Sequence, residues 1–160
     1  MPEIKIYTQD IEIAVAKLFG YRSHLIVPNI SWGLDFEHEL DLLVLTPANF
    51  AWEVEIKVSA SDLARDKKKV HAHIDRRNRI RRLYFALPIG LANSPNIPPR
   101  AGVIAVQVSD GKICARITRH AQTHADARPF TGAERMKLLE LAAMRVWSLK
   151  EKLSGKRFEL

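Results

Sequence analysis

Two apolar segments joined by a short turn constrain the fold of this chain most strongly. Residues 40–46, LDLLVLT, are almost continuously apolar, which is typical of a strand covered on both faces. The turn signal TPAN follows, and then residues 51–58, AWEVEIKV, alternate strictly between apolar and charged positions. Asp41 lies inside the first segment, and Glu55 and Lys57 lie inside the second. Charges are rare within apolar strands unless they are paired, bind a metal or take part in chemistry, so these strands predict a functional site.

The rest of the sequence predicts a mixed α/β domain with one central sheet. An apolar stripe of helical period predicts a helix over residues 8–20, begun by Thr8 and ended by Gly20. Pro28 predicts an edge strand over residues 24–30. A helix is predicted from Ser59 or Ser61, followed by a strand over residues 83–87 and a long loop over residues 88–101. A hairpin that turns at Asp110-Gly111 follows, and the last predicted element is a helix from a Thr131–Glu134 capping box to about Leu153. The apolar face of this last helix is predicted as Leu139, Ala142, Ala143, Val146, Leu149 and Leu153.

Length and composition favour one globular domain spanning residues 1–160. The single cysteine, Cys114, excludes an internal disulfide framework and predicts a cytoplasmic protein, with Cys114 itself buried in the hairpin. No apolar run approaches the roughly 20 residues that span a membrane, and the first residues lack the pattern of a signal peptide.

The positive charge of the chain is concentrated in one segment. Residues 65–82 contain nine lysines and arginines against two aspartates, which gives that segment a charge of +7. The whole chain also carries +7, so the remaining residues sum to zero. Such a patch is typical of a polyanion binder, although a solvated helix face would look similar. Beside the acidic residues, we interpret it as a nucleic-acid-binding segment.

The acidic residues predict a metal site that acts on phosphate. If the two strands are neighbours, Asp41 and Glu55 can share a Mg²⁺ ion, with Mn²⁺ as the other candidate and the carbonyl oxygen of Ile56 as a third ligand. Lys57 projects to the same face as Glu55, where it can orient or deprotonate water and stabilise negative charge on a phosphate. Glu12, on the first helix, can add a further acid.

Simpler interpretations of the same residues stay open. Strict alternation favours Glu55 and Lys57 on the solvated face of a half-covered strand. Asp41 argues against this, because a buried and unpaired aspartate is costly and needs a cation. Glu53 is interpreted as a solvated or salt-bridging bystander, and Glu12 is as well explained as a surface residue.

Asp41 followed by Glu55-Ile56-Lys57 on the next strand resembles the PD-(D/E)XK nuclease superfamily. Glu12 on the preceding helix and the helix near Ser61 match that superfamily's order of helix, three strands, helix and strand, over about residues 8–88. The segments EIKVSASDLARDKKK and RRLYFALP look most like the MmcB-type DNA-repair branch, with Asp62, Asp66 and Lys67 at its helix positions. Leu40 replaces the proline of the superfamily's name, and Val58 stands where closer relatives have serine.

The resemblance implies a restriction-endonuclease-like αβββαβ core, to which a C-terminal hairpin and helix over residues 101–153 are added. It also implies a Mg²⁺-dependent DNA endonuclease acting in repair or recombination, and it makes a homodimer worth testing. The residues predicted to bind the DNA backbone are Lys67, Lys68, Arg76, Arg77, Arg79 and Arg81. The alternative is a non-catalytic module of the same fold that binds DNA structure, and an RNA-directed nuclease is a third reading.

Overall fold

A computed structural model describes residues 5–36, 38–67 and 79–157, without the side chains of residues 66 and 67. The helices are α1 (Thr8–Phe19), α2 (Ala60–Lys67) and α3 (Gly132–Ser154), with a short 3₁₀ helix at Ile89–Leu91. The strands are β1 (Leu25–Ile30), β2 (Leu40–Leu45), β3 (Ala51–Ile56), β4 (Ile80–Pro88), β5 (Gly102–Ser109) and β6 (Lys112–Arg119). The order of elements in the described ranges is the order that the sequence predicts.

All six of these strands form one mixed sheet in chain order, β1 to β6. The pairs β1–β2, β2–β3 and β5–β6 are antiparallel, whereas β3–β4 and β4–β5 are parallel. The mixed α+β class is therefore confirmed. Pro28 lies in β1 at the edge of the sheet, as predicted, because an edge strand tolerates a residue without a backbone N–H.

Helix α1 covers one face of the sheet. Its stripe of Ile11, Ala14 and Val15 is buried, as the helical period predicts. These side chains pack against alternate residues of the central strands: Leu42, Val44, Val54, Ile56, Tyr84, Ala86, Ile104 and Val106. In β2, β3, β4 and β5, the side chains at even-numbered positions therefore face α1. The odd-numbered side chains of β2 and β3 face the opposite side of the sheet.

Helix α3 and the loop before β2 cover part of the opposite face. Leu138 and Leu141 of α3 pack with Leu43, Leu45 and other residues of this second cluster. Ala142 of the predicted apolar face of α3 packs against this cluster, but the rest of that face is wrong, because it is exposed at Leu139, Ala143, Val146, Leu149 and Leu153. Apolar residues occur nearly all around this helix, so its period alone does not identify the stripe that packs.

Local signals in the turns and caps are confirmed at most positions. Asp110 and Gly111 both have positive φ, of 50° and 72°, as a tight hairpin turn requires. Thr131 accepts a hydrogen bond from the Glu134 N–H, and Glu134 accepts one from the Thr131 N–H, which completes the capping box of α3. Helix α2 begins after Ser59, whose hydroxyl accepts a hydrogen bond from the Asp62 N–H.

Two local predictions are wrong. The residue before α1 is Tyr7 rather than Thr8, and the Asp10 carboxylate accepts a hydrogen bond from the Tyr7 N–H. Cys114 is exposed rather than buried, because β6 is the outer strand of its hairpin and its alternate positions face solvent. Among the described helices, none combines the length and the apolar character needed to cross a membrane.

Candidate active site

The carboxylate of Asp41 lies where the pairing of β2 with β3 ends. Leu42 is the partner of Val54, so one further step along the register places Asp41 opposite Glu55. Beyond that pair, the Asp41 Oδ2 atom accepts a hydrogen bond of 2.8 Å from the backbone N–H of Ile56. The side chain therefore takes the position that a backbone carbonyl would occupy in a longer ladder, and this fixes its carboxylate beside β3.

Glu55 and Lys57 are buried, with 5% and 8% of their surface exposed. The Lys57 Nζ atom donates a hydrogen bond of 3.0 Å to Glu55 Oε2. The interpretation that places them on a solvated strand face is therefore wrong, because the second face of the sheet is covered at this point. Both charged groups are held in a dry environment, where a charge acts more strongly on its neighbours than it would in water.

The pKa values of two acids are raised by burial and by neighbouring carboxylates. Burial raises the pKa of Asp41, the Glu55 charge raises it further, and the Ile56 N–H and Lys57 oppose the change. Burial also raises the pKa of Glu12, with a further contribution from Asp41, while Lys152 of α3 opposes it. The structure therefore brings Asp41, Glu55 and Lys57 together and places Glu12 within electrostatic range of them.

Glu12 approaches the group from α1 and lines a cavity of about 290 Å³. Leu42 of β2 lines the same cavity, as do Arg145 and Lys152 of α3. Glu12 is thus a half-buried wall of a cleft rather than an isolated surface residue. The two basic side chains give this wall a mixed charge, and Asp41, Glu55 and Lys57 are not part of the cavity lining.

Strand geometry also bears on the backbone oxygen of Ile56. The Lys57 N–H points towards β4, where it donates to the Ala86 carbonyl oxygen at 3.0 Å. The N–H and C=O groups of Ile56 therefore point the other way, towards β2 and the Asp41 carboxylate. Two carboxylates and a carbonyl oxygen are the kinds of donor that Mg²⁺ prefers, so the chemistry of these residues fits such an ion.

Sequence reasoning missed His38 and misjudged Glu53. Glu53 is not solvated: it is 2% exposed, and its Oε1 atom lies 2.6 Å from the Nε2 atom of His38. His38, Glu53 and Glu55 each offer one ligand atom, and these three atoms lie within 4.8 Å of one another. His38 precedes β2 in an irregular segment, so no periodic pattern marks it. The one available signal was a histidine three residues before the buried aspartate.

Arg79, predicted to contact DNA, is buried with 4% of its surface exposed. Its guanidinium donates to the Leu34 carbonyl oxygen, forms an ion pair of 2.9 Å with Glu134, and lies over the rings of Phe36 and Phe130. The hydrogen bond from Arg128 is the largest cause that lowers the pKa of Glu134 to about 2, and the charge of Arg79 adds to it. Glu134 therefore stays ionised in its ion pair with Arg79. The prediction is corrected here: Arg79 joins α3 to the loop before β2 and is not available on the surface.

Arg81 is partly exposed and lies over the ring of Phe50, 3.9 Å from its centre. It belongs to the start of β4, next to the start of β3, whereas Glu55 and Lys57 lie at the end of β3. The structure therefore does not bring Arg81 to the acidic group. Lys68, Arg76 and Arg77 lie outside the described residues, as does the side chain of Lys67, and they stay predictions.

Comparisons with known proteins show the fold alone. No family model matches this chain, and no curated protein matches it. Among solved structures, it is similar to a Silicibacter pomeroyi protein of unknown function, with a TM-score of 0.62 and 18% sequence identity. The likeness covers 96% of this chain and 94% of the other, so the two share the fold over nearly their whole length.

Proposed function

We propose that this protein is a Mg²⁺-dependent DNA endonuclease with a restriction-endonuclease-like core. One observation carries the proposal: the Asp41 carboxylate is fixed by the Ile56 N–H beside the buried Glu55–Lys57 pair. The element order from α1 to β4, with β3 and β4 parallel, supports the same core. A site that only had to stabilise the fold would gain little from burying acids beside one another, since burial and then the neighbouring charge raise the pKa values of Glu12 and Asp41.

In this proposal Asp41, Glu55 and the Ile56 carbonyl oxygen hold the cation. When bound, Mg²⁺ neutralises phosphate charge and makes a nearby water more acidic. The Lys57 ammonium, held by Glu55, orients the attacking water and stabilises the charge that grows on the phosphate. Water attacks phosphorus and releases a proton to solvent, the P–O bond to one sugar breaks, and the leaving oxygen takes up a proton from solvent. Glu12, on α1, assists through its charge, which acts on Asp41.

DNA is proposed as the substrate because the basic segment, residues 65–82, directly follows the strand that carries Glu55 and Lys57. Helix α2 begins only three residues after Lys57, and Leu63 anchors it in the core with no exposed surface. The start of the basic segment is therefore fixed close to the acids. Lysines and arginines of this segment can neutralise backbone phosphates and position the DNA over the acidic residues.

The test is cleavage of supercoiled plasmid and branched DNA in Mg²⁺ or Mn²⁺ by wild type and Lys57→Ala. We expect the variant to lose at least about 100-fold in rate, because it lacks the group that acts on water and phosphate. The matched control is Lys112→Ala, at an exposed position of β6, which should cleave like wild type. Equal background cleavage by wild type and Lys57→Ala would refute catalysis. DNA binding without any cleavage would instead favour the module that only binds DNA structure.

A further inference from the structure

His38, Glu53 and Glu55 form a second group of ligand atoms on the same face of β3. Glu53 and Glu55 are two residues apart on the strand, so both side chains point to one side. His38 reaches them from the irregular segment that leads into β2. The three ligand atoms lie within 4.8 Å of one another, and the closest pair, His38 Nε2 and Glu53 Oε1, is separated by 2.6 Å.

The burial of this group is unusual for its charge. Both glutamates are almost fully buried, and the His38 side chain is only 24% exposed. On this side of β3, the carboxylates of Asp41, Glu53 and Glu55 lie near Lys57 and His38. Buried carboxylates require protons, basic partners or a metal. In the metal-free protein His38 and Lys57 hydrogen-bond to Glu53 and Glu55, and these contacts hold the ligand atoms close together.

The kind of ligand atoms indicates the kind of ion. An imidazole nitrogen with carboxylate oxygens suits first-row transition cations, which bind such donors more tightly than Mg²⁺ does. We propose that His38, Glu53 and Glu55 bind a divalent transition-metal ion of the Zn²⁺ class. The inference goes beyond the proposed nuclease activity and does not require it, although the two cation sites would share Glu55.

The geometry of the group is compatible with such an ion after small movements. Ligand atoms at about 2.0–2.2 Å from Zn²⁺ lie at most roughly 4.4 Å apart, so the widest separation must close slightly. The hydrogen-bonded pair His38 and Glu53, at 2.6 Å, must open to admit the ion. The proton shared by His38 and Glu53 would leave as the ion enters. Glu55 has two carboxylate oxygens, so it can keep its bond to Lys57 and still contribute a ligand atom.

The experiment is calorimetric titration of the full chain with Zn²⁺ and, separately, with Mg²⁺, for wild type and His38→Gln. Glutamine can still donate a hydrogen bond to Glu53 but is a poor ligand for Zn²⁺. We expect wild type to bind Zn²⁺ at least about tenfold more tightly than Mg²⁺, and the variant to lose at least about tenfold of that Zn²⁺ affinity. The matched control, His120→Gln, replaces an exposed histidine and should retain the wild-type isotherm.

Zn²⁺ binding by His38→Gln that equals wild type would overturn the inference. Glu53→Gln provides a second variant of nearly unchanged shape, and its Zn²⁺ isotherm decides the question if His38→Gln does not fold. Visible absorption of bound Co²⁺ gives an independent readout, since the band should fall in both variants and persist in His120→Gln.

The two proposals fail in distinguishable ways. Asp41→Asn should remove the Mg²⁺ isotherm and leave Zn²⁺ binding at the histidine group. If wild type cleaves DNA no faster than Lys57→Ala but His38→Gln still loses Zn²⁺, the nuclease is refuted and the second site stands. If His38→Gln keeps its Zn²⁺ isotherm while Lys57→Ala loses cleavage, the second site is refuted and the nuclease stands.

Discussion

Ionisation of Asp41 is disfavoured in the folded protein. Its pKa is raised by burial and by the Glu55 charge, so the folded protein favours the protonated carboxyl. A raised acid pKa contributes stability at low pH, and that contribution is lost as the pH rises through the raised value. At neutral pH this residue therefore destabilises the metal-free protein, and a cation would relieve the repulsion.

We expect Asp41→Asn to raise the melting temperature at pH 7 in metal-free buffer, on the order of 2–4 °C. Asparagine keeps an oxygen for the Ile56 N–H but removes the charge. The difference from wild type should shrink as the pH falls through the raised pKa of Asp41, because the aspartate becomes protonated there. Thermal melts across this pH range, with and without Mg²⁺, provide the measurement.

Mg²⁺ should stabilise wild type by binding the folded state and should have a much smaller effect on Asp41→Asn. The control is Asp110→Asn, at the exposed hairpin turn, which should change neither the pH profile nor the response to Mg²⁺. A melting temperature for Asp41→Asn below that of wild type at pH 7 would contradict the inference that ionised Asp41 destabilises the metal-free protein.

Helix α3 is attached by few side chains for its length of 23 residues. We expect Leu138→Ala to lower the free energy of unfolding by about 2–5 kcal/mol, because Leu138 has no exposed surface and its loss leaves a cavity. Leu139→Ala is the matched control, one residue away and 41% exposed, and it should cost less than about 1 kcal/mol. Urea unfolding of both variants measures the difference, and equal losses would show that the helix packs by another face.

The sequence predicted the elements better than it predicted their faces. Asp41 and Glu55 could be identified because charge inside an apolar strand is a local signal. The covering of the second sheet face depends on α3 and on the loop before β2, which are distant in the sequence, so the burial of Glu53 could not be read from alternation. His38 was missed for the same reason: its contact with Glu53 spans 15 residues and follows no period.

At the scale of the whole molecule, the neutral body and the basic segment predict how DNA binding depends on salt. We expect affinity for duplex DNA to fall steeply between 50 and 200 mM salt, and Arg76→Ala with Arg77→Ala to reduce the slope of log K against log salt by about 2. Filter binding or fluorescence anisotropy across the salt series measures both. The control is Arg116→Ala, at an exposed position of β6, which should leave the slope unchanged. A flat salt dependence in wild type would contradict binding through backbone phosphates.

The anchoring of Arg79 has a consequence for how this protein could diversify. Leu63 fixes the chain before residues 68–78, and the buried Arg79 fixes it immediately after them. The contacts of these two anchors involve neither Asp41, Glu55 nor Lys57. Substitutions among residues 68–78 could therefore change binding preference while the strands that carry Asp41 and Glu55 stay untouched, so recognition and chemistry could evolve separately.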